Sequence, residues 1–214
     1  VNGVNRQYLV YLPVKFNSSE NLPALFHYHG GGGNSQEALQ YEIDYRSLAN
    51  NERFIVVYPQ ASVDPNGCTC WDGLGPYWLG IDEIAFTNAM LDAMVNEYNV
   101  NSNRLYASGF SLGGSFIYEL FCYIGDRFAA VAPIAANMWE WTQEACESAP
   151  PTALLHILGT NDFYAPYNGN QYSLSTSAQN IFVATINGAI TTPIESPYQT
   201  NVTEVLYPQG ESCH

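Results

Sequence analysis

The twelve-residue segment NRLYASGFSLGG, Asn103 to Gly114, constrains this chain more than any other. Arg104 to Ala107 reads as a β-strand and Leu112 to Tyr123 as a helix, and the Gly109-Phe110-Ser111-Leu112-Gly113 between them fits G-x-S-x-G. A strand-to-helix turn this tight holds its central residue in a strained backbone region, where flanking side chains would clash, so glycine stands on either side. The geometry lifts the Ser111 hydroxyl above the end of a sheet. It also aims the free N–H groups and positive dipole end of the following helix at any oxyanion formed there. An inert serine in a glycine-rich turn is the competing reading of the pentapeptide alone, and the strand and helix around it argue against that reading.

A second glycine-rich segment, His29-Gly30-Gly31-Gly32-Gly33-Asn34, directly follows the strand-like ALFHYH. Four glycines let the backbone approach a substrate carbonyl closely, so the N–H of Gly31 is expected to join that of Leu112 in an oxyanion hole, with His29 and Gly30 lining the substrate site. A phosphate cradle fits less well, because G-x-G-x-x-G fails at Ser35 and Gln36 and no G-K-[ST] follows. A serine nucleophile of this kind needs an imidazole base and an orienting carboxylate, in the chain order Ser, Asp or Glu, His. Only His156 and His214 follow Ser111. His156 lies in an apolar run and reads as a satisfied core histidine, whereas His214 follows the strand-like VTEVLYP in a polar loop and is the expected base. Asp162, just after ALLHIL, is the expected orienter; Asp126 competes, but GDRF reads as a turn on the wrong edge of the sheet. His27 and His29 alternate along one strand, yet no H-E-x-x-H or comparable spacing makes them a metal site, and no metal or cofactor is expected.

Around these motifs, short strand-like runs (Gln7 to Pro13, Ala24 to Tyr28, Phe54 to Tyr58, Val131 to Ala135, Thr152 to Gly159, Val202 to Tyr207) alternate with helical patterns at Ile81 to Tyr98 and Ser173 to Asn187. That alternation predicts an α/β fold with a mostly parallel central sheet and helices on both faces, and 214 residues with no linker-like segment read as one domain, 1–214. Pro59 to Gly80 is the longest irregular stretch and is expected to serve the site. It carries Trp71, Tyr77 and Trp78, which with Trp139 and Trp141 are candidates to stack on a substrate; lid or core packing is the alternative.

The net charge of -14, from 20 acidic and 6 basic residues, repels phosphates and anionic lipid, so no nucleic acid and no membrane partner is expected. No apolar run approaches the roughly 20 residues that span a bilayer. Cys68, Cys70, Cys122, Cys146 and Cys213 are too widely spaced for a zinc ribbon and read better as disulfides of open connectivity, an odd count leaving one free thiol or missing chain. With Lys15 the sole lysine and Asn, Ser, Thr and Tyr plentiful, the expectation is a secreted, extracellular or periplasmic, monomeric protein whose signal peptide is already absent; Asn17 and Asn201 stand in N-x-S/T sequons whose use is open.

Several stretches resemble one family nearly end to end: Arg6, Tyr8, Tyr11 and Pro13 in R-x-Y-x-x-Y-x-P, then HGGGGN, Cys70-Trp71, Asp82, NRLYASGFSLGG, FAAVAPIAA and GTNDFYAPYNG. The chain is similar in these to the secreted esterases that include polyhydroxybutyrate depolymerases and the feruloyl and acetylxylan esterases of carbohydrate esterase family 1. The resemblance implies an α/β-hydrolase fold and cofactor-free ester hydrolysis, and its aspartate segment coincides with Asp162. Two departures stand out: Leu112 replaces the Asn that usually follows the nucleophile, and the chain stops at His214 where the family continues with a Trp-containing segment and a final helix. A C-terminal segment is therefore expected to be missing. A serine peptidase, or a binding protein on a hydrolase scaffold, remains an alternative.

Overall fold

The computed structural model of the chain describes residues 1–64, 67–71, 81–146 and 148–209. Six strands form the central sheet in the order β1-β3-β2-β6-β7-β8. They are β1 (Tyr8–Tyr11), β2 (Ala24–Tyr28), β3 (Ile55–Pro59), β6 (Leu105–Phe110), β7 (Ala130–Ile134) and β8 (Ala153–Leu154). Only β1 runs antiparallel; the other neighbouring pairs are parallel. Strands buried on both faces need apolar residues throughout, which is why Ile55 to Pro59 and most of Ala24 to Tyr28 are buried.

A short hairpin of β4 (Ser62–Val63) and β5 (Thr69–Cys70) lies in the long irregular stretch. The helices are α1 (Ser35–Glu37), which continues as a π-helical turn over Ala38–Glu42, then α2 (Arg46–Glu52), α3 (Glu83–Tyr98), α4 (Leu112–Ile124), α5 (Glu140–Ala145) and α6 (Thr176–Ile186). Helix α4 is the central one: eleven of its residues are buried, and Phe116, Leu120 and Phe121 join Phe26, Tyr28, Met90 and Met94 in the main core. Asp82 caps α3 by accepting the Ala85 N–H at 2.8 Å, a role its side chain suits because the first turn of a helix has no internal acceptors.

The register sets the height of the site. Tyr28 pairs with Gly109 and Gly109 with Pro133, so β2, β6 and β7 end at one level and the loops after them open on the same edge. The expected strand Val202 to Tyr207 forms as β10 (Val202–Leu206), but it pairs with β9 (Ile194–Gln199) in a separate, exposed two-stranded sheet. Period-two alternation specifies a strand without specifying its partner, so this placement was not legible beforehand.

Two disulfides are present among the described residues, Cys68–Cys70 and Cys122–Cys146; the second ties α4 to the end of α5. Cys213 lies outside the described residues. No helix of the described residues is long and apolar enough to cross a membrane.

Candidate active site

Strand β6 delivers Ser111 at φ 53° and ψ -120°, a left-handed backbone conformation that costs a non-glycine residue on the order of 1–3 kcal/mol. The Ser111 N–H donates to the Ile134 carbonyl at 2.9 Å, and its carbonyl accepts the Ser115 N–H at 3.0 Å, so the turn is held from the neighbouring strand and from α4. The glycines are needed for packing. A Cβ on Gly109 would meet the backbone of Gly113, and one on Gly113 would meet the carbonyls of Tyr28 and His29. The serine turn and the end of β2 are therefore in direct backbone contact.

That contact places the glycine loop on the nucleophile. A Cβ on Gly30 would lie 3.6 Å from the Ser111 Cβ, and one on Gly31 would lie 3.2 Å from the Leu112 Cδ2. Gly30, Gly32 and Gly33 spend their N–H groups on the Glu42 carboxylate, the Thr69 carbonyl and the Gly30 carbonyl. Among the described residues, the N–H groups of Gly31 and Leu112 donate to nothing. Two unspent backbone donors on segments packed against each other beside a strained serine form a site that suits a developing oxyanion.

The segment before the glycines is rigidly braced. His29 is fully buried, and with the Ala61 N–H donating to its Nε2 at 3.2 Å, its Nδ1–H donates to the Gly30 carbonyl at 2.7 Å. Trp71 donates its indole N–H to the His29 carbonyl at 2.7 Å. The expectation that His29 and Trp71 contact substrate is corrected here. Trp71 is 1% exposed, its ring stacked on Phe116 and met edge-on by Tyr28, so no face is open to a ligand. Both side chains instead hold the loop that carries Gly31.

Asp162 follows the short β8 and its extension, in which Ile157 bridges to Ile134. Its Oδ1 accepts the N–H groups of Tyr164 and Ala165 at 2.9 and 2.8 Å, while Oδ2 accepts nothing among the described residues. The carboxylate is thus oriented through Oδ1 alone among the described residues. Asn137, just beyond β7, ties this loop down by donating to the Pro166 carbonyl at 2.9 Å, while the Asn137 carbonyl accepts the Ser115 hydroxyl. His156 is the structural histidine the apolar run suggested, with Nε2 on the Ala136 carbonyl at 2.9 Å and the Gln179 amide against Nδ1 at 3.2 Å. Trp139, half-buried at the start of α5, stacks on Trp141 with centroids 5.2 Å apart. His214, Tyr77 and Trp78 lie outside the described residues.

Burial pushes the pKa of His29 and of His156 below the ordinary 6.5 because desolvation disfavours the charged ring. The unfolded chain then binds more protons than the folded one as pH falls below about 6.5, so stability drops on acidification through the window below that value. Thermal melts between pH 8 and pH 5 should show Tm falling below pH 6.5, with a weaker fall in His156→Gln; a Tm independent of pH across that range would contradict this.

No family model matches the chain. The architecture is that of the α/β-hydrolases: a carboxylesterase from Bacillus cereus superposes over 87% of this chain and 82% of its own with a TM-score of 0.60, at 18% identity. In sequence the chain is a homologue of esterases. It is 32% identical over 161 residues to a bifunctional acetylxylan esterase/xylanase of Neocallimastix patriciarum, covering 75% of this chain and 22% of that one. It is 30% identical over 168 residues to feruloyl esterase B of Piromyces equi, covering 77% and 30%. It is also 30% identical over 123 residues to poly(3-hydroxyalkanoate) depolymerase C of Paucimonas lemoignei, covering 56% and 29%. The chain therefore spans less than a third of the length of these curated relatives.

Proposed function

We propose that the chain is the catalytic domain of a secreted serine carboxylic-ester hydrolase, acting on feruloyl or acetyl esters of plant polysaccharide or on polyhydroxyalkanoate-type polyester. The observation that carries this reading is the left-handed Ser111 set beside the N–H groups of Gly31 and Leu112, which donate to nothing among the described residues. Names of the relatives, esterases and a polyester depolymerase, support the same chemistry.

In the proposed mechanism His214 takes the Ser111 proton as the oxygen attacks the ester carbonyl, and the Gly31 and Leu112 N–H groups receive the charge that builds on the carbonyl oxygen. Asp162, pinned through Oδ1, offers Oδ2 to the imidazole and sets its tautomer. The alcohol leaves with the proton from His214, and water, activated by the same imidazole, hydrolyses the acyl-enzyme. No metal or cofactor enters these steps. Leu112 makes the surroundings of the nucleophile more apolar than an amide side chain would, which suits an aromatic or short aliphatic acyl group.

A panel of p-nitrophenyl acetate, p-nitrophenyl butyrate, methyl ferulate and a polyhydroxybutyrate film tests the reading. Turnover of at least one ester, absent in Ser111→Ala, is the expected outcome, and the ranking assigns the substrate class. Turnover of peptides with no ester preference, or of nothing at all, would overturn it.

A further inference from the structure

The glycine loop is held from beneath by a buried polar chain that the mechanism above does not use. Glu42, the last residue of the π-helical turn, accepts the Gly30 N–H through Oε1 at 2.9 Å, and the same oxygen would lie 3.6 Å from a Cβ on Gly33. The carboxylate therefore sits in the mouth of the turn that presents Gly31. Its Oε2 faces His27 Nε2 at 3.6 Å, and among the described residues neither atom has a hydrogen-bond partner. His27 is fully buried on β2, and its Nδ1 lies 2.9 Å from the hydroxyl of Ser108, its register partner on β6 and three residues before the nucleophile. Tyr45 and Tyr58 pack edge-on against the imidazole and close it from solvent.

One set of donors fits these contacts: the Ser108 O–H donates to His27 Nδ1, which leaves the ring proton on Nε2, 3.6 Å from the Glu42 carboxylate, and Glu42 Oε1 accepts from Gly30. Its two ends are the strand that carries Ser111 and the loop that carries Gly31. The carboxylate acceptor on Gly30 also keeps that N–H out of the oxyanion site and leaves the neighbouring Gly31 amide, which donates to nothing among the described residues.

We propose that Glu42 and His27 are positioning residues for the oxyanion hole, coupling the glycine loop to the nucleophile strand. The proposal rests on the serine-esterase reading. An acceptor lost beneath Gly30 lets the loop rotate, and the Gly31 donor leaves the position the oxyanion occupies. Losing one such donor outright typically lowers kcat by about 10²–10³, so partial misplacement sets the expectation near tenfold or more.

The test is steady-state kinetics on p-nitrophenyl acetate for the wild-type chain, Glu42→Met and Glu42→Gln, with the substrate KM and the Tm of each. Glu42→Met, which removes the acceptor and keeps the volume, should lose at least about tenfold in kcat with KM within about twofold. Glu42→Gln, whose carbonyl oxygen can still accept from Gly30, should recover most of that loss. If Glu42→Met does not fold, Glu42→Asp takes its place: the charge stays but the reach is one methylene short, and the same kcat loss at constant KM is expected. Wild-type kcat in the Met or Asp variant, or a Gln variant as slow as Met, overturns the proposal. A wild-type chain that hydrolyses no ester would instead overturn the functional reading beneath it.

Discussion

Ser111→Ala is expected to lower kcat on any ester the chain cleaves by roughly 10⁴–10⁶-fold while leaving KM within a fewfold, because it removes the bond-forming oxygen and nothing that holds the substrate. Alanine tolerates the left-handed backbone no worse than serine does, so the turn at φ 53° stays as it is and the melting temperature should hardly move. Steady-state kinetics and a thermal melt on the same preparation check both halves. Ester turnover that survives the substitution at more than a hundredth of the wild-type rate would mean that another group attacks the carbonyl. Any residual rate should come from the Gly31 and Leu112 donors acting on a water molecule, and it should vanish into the background for slow esters such as methyl ferulate.

The second large effect is on stability. Arg6 and Glu83 form an ion pair of 2.6 Å with side chains 6% and 1% exposed, the guanidinium 3.9 Å above the Phe86 ring and also donating to the Gln60 carbonyl. Breaking a buried pair from one side leaves the other charge desolvated, which costs about 3–5 kcal/mol. For a domain of this size 1 kcal/mol moves Tm by about 2–4 °C, so Arg6→Ala should melt on the order of 10 °C lower. Arg6→Lys should lose part of that, since a point charge replaces the planar group over the ring. A shift of less than 2 °C for Arg6→Ala would show that the N-terminal segment does not depend on this pair. The same arrangement explains why an arginine stands at the start of R-x-Y-x-x-Y-x-P: it ties the segment before β1 to the first turn of α3.

How much of this was readable beforehand depends on the range of the signal. The strand, turn and helix around Ser111 were legible because all their determinants lie within about twenty consecutive residues: a β-rich run, glycines at the clash points and an apolar helix. Leu112 belongs to that stretch, and Gly31 to a second local signal, the glycine run directly after β2. Asp162 is named from its place after the strand-like ALLHIL, of which only Ala153–Leu154 forms a strand, and in the structure Tyr164 and Ala165 orient its carboxylate.

What was not legible lies across the chain rather than along it. Trp71 stands in an irregular stretch with no period to assign it a face, and a tryptophan beside a pocket and one beneath it look the same in one dimension; only the partners Tyr28 and Phe116 show it to be core. Glu42 is not legible in the sequence because QYEID is a polar stretch that carries no helical period, and a π-helical turn has no simple sequence mark. Its significance depends on Gly30 and His27, which are twelve and fifteen positions away. The hairpin of β9 and β10 was half-visible: the alternation marked Val202 to Leu206 as a strand, but its residues are exposed, so no buried face tied it to the central sheet.

The most direct measurement is covalent trapping. Incubation with diethyl p-nitrophenyl phosphate, followed by intact mass and peptide mapping, should give one diethylphosphoryl group per chain, on the peptide containing Ser111, with p-nitrophenyl acetate turnover falling in proportion to the labelled fraction. Label on another residue with full loss of turnover, or turnover that persists when Ser111 is fully labelled, would contradict the assignment of Ser111 as the nucleophile.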